Sequence, residues 1–244
     1  GARSMGLGKA YVGLANEPFG MFSNPAGLKD IKTWQAATMQ TSLMGGESNY
    51  LAFTTVKPYE WGNLGFGYVN NTIGGIPITS TVNGRPSQTS TMNYSDSVYA
   101  LSYSNYFDRL FTDTIKNLGI GANLKYFNKT IATREGSAAG YSIDLGLQYQ
   151  PETIPWLNLG LATQNLVGSG LIWGTGTQEL LPMVMKLGGT VQILGDNAIK
   201  AAVQSLLLST EYETRPNQAN YPGQIQLGLE WKPYSIVAIR SGID

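Results

Sequence analysis

The chain of 244 residues contains no cysteine and no histidine. The first absence excludes disulfides and thiolate chemistry. The second removes the usual general base at neutral pH and the commonest metal ligand. Together they exclude a Ser-His-Asp triad, a Cys-His pair and a His-Glu-x-x-His zinc site. Charge is scarce too. Asp, Glu, Lys and Arg make up 13% of the residues, 16 acidic and 16 basic, against about a quarter in soluble domains. This balance offers no basic stripe for nucleic acid. No run of about eighteen apolar residues exists, so no transmembrane helix is expected. Gly6-Leu-Gly8 and Gly119-Ile-Gly121 are incomplete dinucleotide signatures, and Gly8-Lys9-Ala10 lacks phosphate-loop spacing. Glu211 and Glu213 fall in a stretch read as a loop. No catalytic residue, cofactor or metal site is assigned, and the chain reads as a non-enzyme.

What is abundant is Gly (30 residues) and Tyr (14), in a chain whose mean hydropathy is −0.11. From about residue 33 the apolar residues recur with period two. In Tyr141–Tyr149, Tyr141, Ile143, Leu145, Leu147 and Tyr149 share one face, opposite Ser142, Asp144, Gly146 and Gln148. Leu118–Tyr126, Ile225–Trp231 and Leu64–Tyr68 repeat the alternation, which is a strand signal. Further strands are expected near 36–41, 50–57, 98–106, 157–163, 184–194, 198–205 and 236–240. Aromatics at strand ends (Trp34, Tyr59, Trp61, Tyr106, Phe107, Trp156, Trp231, Tyr234) suggest girdles at two membrane interfaces. Short connections (58–62, 195–197, 232–234) alternate with long polar ones (71–93, 128–138, 165–182, 206–223), the asymmetry of an outer-membrane barrel. The polar faces are rich in Gly, Ser, Asn and Gln, which argues for a wet or plugged interior with the apolar side toward lipid. A soluble sandwich or barrel, which also alternates, is the alternative. The expected fold class is therefore all-β, a transmembrane antiparallel β-barrel, with residues 33–244 forming the barrel.

Residues 1–32 do not alternate. Small residues at Ala2, Ser4, Gly6, Gly8, Ala10 and Gly13 suit a short helix or an irregular packed segment. Asn24-Pro25 favours a turn with Asn24 extended, and Ala26-Gly27 allows close backbone approach. Such a segment suits an N-terminal plug inside the barrel. Gly1-Ala-Arg-Ser-Met-Gly-Leu-Gly-Lys-Ala-Tyr-Val-Gly-Leu-Ala15 followed by Asn24-Pro-Ala-Gly-Leu28 resembles the N-terminal signature of the PorV/PorQ family. These outer-membrane barrels are related to the FadL long-chain fatty-acid transporters. Leu181-Pro182 with Lys186-Leu-Gly188, and Leu227–Trp231 with Ala238–Gly242, are weaker matches farther along. Lys9 stands where the family usually has a small residue. The resemblance implies about fourteen strands around an internal N-terminal segment. It also implies further strands beyond the Arg-Ser-Gly position, so the barrel is expected to be C-terminally incomplete at Asp244.

Three sets of residues are candidates for function. Asn24, Pro25, Ala26, Gly27 and Leu28 either lock the plug or, as in FadL-type relatives, border a ligand path. Lys125, Asp144, Lys186, Lys200, Glu230 and Arg240 are expected to face the lumen, as an ion-pair network or as a polar path for solute. Ile76, Ile78, Leu171, Ile172, Trp173, Leu206, Leu207, Leu208 and Tyr212 are apolar residues in stretches read as outer loops. They suit contact with a partner, a lipid or a hydrophobic ligand, or packing of loop on loop. The resemblance implies an integral protein of the outer membrane of a Gram-negative (diderm) bacterium, surrounded by outer-membrane lipid. It implies a partner-binding component of a protein secretion or surface-assembly machine, PorV-like and type IX secretion-like. The alternative is a FadL-like transporter of fatty acids or other hydrophobic small molecules.

Overall fold

The computed structural model describes residues 1–82, 84–111, 115–131, 133–218 and 220–244, with residues 44, 82 and 133–135 described by backbone alone. A short helix, α1 (Ala2–Gly6), is followed by 3-10 turns at Pro18–Phe22 and Pro25–Asp30. The strands are β1 (Gln35–Leu43), β2 (Ser48–Tyr59), β3 (Gly62–Val82), β4 (Arg85–Tyr106), β5 (Leu118–Ile131), β6 (Thr133–Tyr149) and β7 (Leu157–Gly168), with helix α2 (Phe107–Leu110) after β4. They continue as β8 (Leu171–Trp173), β9 (Gln178–Glu179), β10 (Val184–Leu194), β11 (Ser205–Thr214), β12 (Gln224–Tyr234) and β13 (Val237–Ile243).

All strands belong to one antiparallel sheet, ordered β1-β2-β3-β4-β5-β6-β7-β10-β11-β12-β13, with β8 and β9 as a small annex on β6. The sheet does not close: β1 and β13 are its two edges. Eleven strands laid flat would span about 50 Å. Yet residues 1–31 reach β13, where Gly8 lies against Gly242 and Ile243, and β2, where Met21, Leu28 and Ile31 cluster with Val56. The sheet therefore curls around the N-terminal segment.

Its polarity is inverted relative to a soluble sheet. The convex face exposes Leu51, Phe53, Leu64, Phe66, Leu101, Leu124, Leu145 and Leu187. The concave face buries Thr54, Ser102, Asn123, Ser142, Gln148, Ser209 and Gln226. Period-two alternation puts these sets on opposite sides. Tyr68, Tyr99, Tyr126 and Tyr141 stand in cross-strand register on the convex face, with neighbouring rings at 5.0 and 6.3 Å along Tyr68–Tyr99–Tyr126. At the short-turn end Tyr59 stacks on Trp61 at 5.1 Å and Trp61 on Tyr103 at 6.0 Å. The aromatics expected to mark both interfaces all lie at this one end. The second row sits in mid-strand, because the strands run on beyond it.

Several expected loops are strands. Residues 71–93 form the upper part of the β3–β4 hairpin, paired as far as Val82 opposite Arg85. The run Thr72, Ile73, Ile76, Ile78, Thr79, Thr81 and Val82 is rich in β-branched residues, which favour extended chain. Residues 128–138 likewise extend β5 and β6. Positions 83 and 132, within these two stretches, lie outside the described residues. The strand expected at 198–205 is displaced. That stretch is a connection with a single bridge from Leu194 to Lys200, and the strand is β11, Ser205–Thr214. The leucine run 206–208 masks its alternation.

Candidate functional site

The N-terminal segment lies against the concave face, and a row of glycines makes room for it. A Cβ at Gly121 would lie 2.4 Å from the Ala26 nitrogen, and one at Gly146 would lie 2.1 Å from Asn24 Oδ1. At Gly160 and Gly228 it would meet the carbonyls of Val12 and Leu7 at 2.2 and 2.6 Å. These contacts are below any tolerable separation, so the wall must be bare backbone at these positions.

Residues 17–31 are held by side-chain amides of the wall. Asn24 is extended (φ −147°, ψ 105°) and caps the turn Pro25–Asp30: its Oδ1 accepts from Ala26 N at 3.1 Å. Its Nδ2 donates to Val12 O at 2.8 Å and, on β6, to Leu147 O at 2.9 Å. Asn63 donates to the carbonyls of Leu28 and Ile31 at 2.6 and 2.8 Å. Asn123 donates to Met21 O at 2.8 Å and Gln164 to Phe22 O at 2.7 Å. Gln148 donates to Gly13 O at 2.8 Å and accepts from Lys29 Nζ at 2.6 Å. Burial pulls the Lys29 ammonium below its ordinary value, with Asp30 acting in the opposite sense.

Residues 1–16 are held mainly by charge. Arg3 donates to both oxygens of Glu230, at 2.9 and 2.8 Å, and Arg240 on β13 shares the same carboxylate. Glu211 Oε2 accepts from the backbone nitrogens of Tyr11 and Val12 at 2.8 and 2.7 Å. Its other oxygen pairs with Lys186 at 2.9 Å, and Lys186 also reaches Glu213 at 3.1 Å. Lys9, with φ 64°, pairs with Asp244. Burial pushes the Tyr11 phenol well up.

The expected lumen-facing charges thus fall into separate clusters. Lys125 and Asp144 meet at 2.7 Å, joined to the β7 bulge by Asn165, whose N donates to Asp144 at 2.9 Å and whose Oδ1 accepts from Lys125 at 2.7 Å. Glu230 and Arg240 meet around Arg3. Lys186 pairs with Glu211 and Glu213, the acidic pair read as a loop. Lys200 is not among them: it is exposed in the β10–β11 connection, because the strand begins only at Ser205. Of the expected loop residues, Leu207 is buried on the concave face with Leu7, Tyr11, Leu14 and Ala15. Leu206, Leu208 and Tyr212 lie on the convex side of β11, a consequence of alternation along that strand. Leu171 is fully buried, Ile172 and Ile78 are exposed, and Trp173 and Ile76 are half-buried. Arg3, Asn63, Asn123, Gln148, Gln164 and Glu211 were not singled out from sequence as holding the segment. For the five on strands the signal was the polar phase of the alternation, which says only that they face inward; Arg3, on α1, carried no such signal.

No group of three acidic side chains among the described residues is placed to hold a metal, and no described helix is long and apolar enough to cross a membrane. No protein-family model matches the chain, and no curated protein matches it.

Proposed function

We propose that this chain is an integral outer-membrane β-barrel protein whose N-terminal plug closes the lumen, and that it serves as a partner-binding component of a protein secretion or surface-assembly machine. The membrane reading is supported by the exposed leucine and phenylalanine face and by its two aromatic rows. On β6, Tyr141 and Tyr149 are eight residues apart, about 27 Å along the strand and about 20 Å along the normal of a tilted strand, close to the apolar band of outer-membrane barrels. The observation that carries the binding role over transport is the plug. Its backbone is hydrogen-bonded to wall side chains from β3 to β11 and its Arg3 to Glu230 on β12, which favours a fixed plug over a path for solute. Beyond the tyrosine row β3 runs on from Tyr68 to Val82, about 45 Å of strand, as a platform for a partner. The resemblance to PorV/PorQ barrels points the same way.

Purification from native outer membranes in mild detergent, with mass spectrometry of bound proteins and lipids, tests this. The expected result is a stoichiometric envelope or exported protein that is lost when residues 75–91 are replaced by a short turn. A solitary barrel retaining fatty acids would overturn it in favour of a FadL-like transporter.

A further inference from the structure

We infer that the convex face between β4 and β10 is a phospholipid site, with an acyl chain in an apolar groove and an anionic headgroup drawn to Lys116. This rests on the membrane reading above. The groove has two lobes, of about 410 and 290 Å³, that share Leu147 and Leu161. Ala122, opposite Tyr103 on one side and Leu145 on the other, leaves the depression in the first lobe. Its floor is Gly121, Gly146 and Ala162. Two of these are glycines that admit the plug from inside, so here the wall is one backbone thick.

The second lobe ends at the short-turn side, on Ile115, Leu118 and Tyr149. Lys116 lies between two of these in the chain and is exposed. Helix α2 packs on β5. Its Arg109 lies over the Tyr106 ring on the plug side, where the Tyr106 hydroxyl donates to Asp30 and Lys29 and Lys32 face the same ring, so Lys116 is the cation beside the lobe. Lys116 has no carboxylate partner among the described residues. Exposed Leu110, Phe111 and Ile115 suit the headgroup boundary. An apolar slot that ends at an aromatic ring and a lysine is complementary to one amphiphile with a negative head.

The full chain would be reconstituted into vesicles of phosphatidylcholine, alone or with phosphatidylglycerol, floated, extracted in mild detergent and weighed by native mass spectrometry. The wild type should retain a phospholipid, with phosphatidylglycerol enriched by about fivefold or more over the bulk membrane. Ala122→Phe, which fills the slot, should lose the bound lipid. Lys116→Glu should keep a lipid and lose the enrichment. A protein that floats without retained phospholipid overturns the site, as does a free fatty acid in its place. So does unchanged retention in Ala122→Phe or, should that variant not fold, unchanged enrichment in the charge-reversed one. A wild type that fails to float overturns the membrane reading instead.

Discussion

The two halves of the N-terminal segment are fixed by different chemistry. Residues 1–16 dock mainly on β10 to β13 through buried carboxylates, Glu230 under Arg3 and Glu211 under the Tyr11 and Val12 amides. Residues 17–31 dock on β2 to β7 through neutral amides, above all Asn24, Asn63 and Asn123. A carboxylate binds strongly but must be matched by cations once buried. An amide is weaker per bond and tolerates the loss of one partner better. The first half is thus an all-or-none attachment, and the second a distributed one.

The comparison breaks most sharply at Glu230. Glu230→Ala leaves Arg3 and Arg240 facing each other without their shared anion, which should cost about 3–5 kcal/mol. Hydrogen exchange of residues 2–12 should rise steeply while that of residues 18–30 is little changed. Asn24→Ala removes the cap and both carbonyl contacts, and should cost about 1–3 kcal/mol. Its effect should appear as faster exchange around residues 24–28 with α1 still protected. Equal loss of protection in both halves for either variant would mean that the segment moves as one body.

Alkaline titration gives the smallest effect and a difference in sign. The Tyr11 phenol, held by burial above its ordinary 10.0, contributes stability below that pH which is lost as pH rises past it. Lys29, pulled by burial below 10.5, carries a penalty that eases as pH rises toward that value. Guanidinium midpoints between pH 9 and 11 should therefore fall less for Tyr11→Phe than for the wild type, and more for Lys29→Met.

Much of the fold was legible because alternation is a local property. Leu118–Tyr126 and Tyr141–Tyr149 could only be strands with one apolar and one polar face. The turn at Asn24-Pro25 followed from the restriction a proline places on its neighbour. Reading failed where local signal is ambiguous. Leu206-Leu207-Leu208 conceals the phase of β11, so Glu211 and Glu213 read as loop acids. The Ser- and Thr-rich stretch 71–93 has loop composition but β-branched spacing.

The sequence by itself determined that the chain is a β-sheet with unlike faces and a non-strand leader, and that neither histidine nor thiol chemistry is available to it. Both conclusions depend only on residue type and period. The tertiary structure decided which face is outside, which charges meet and why the strand glycines are there. An inward-pointing Glu230, Gln148 or Gly146 looks the same in sequence whatever lies beneath it. Its partner is set by a segment more than a hundred residues away, reached only when the sheet has curled around it.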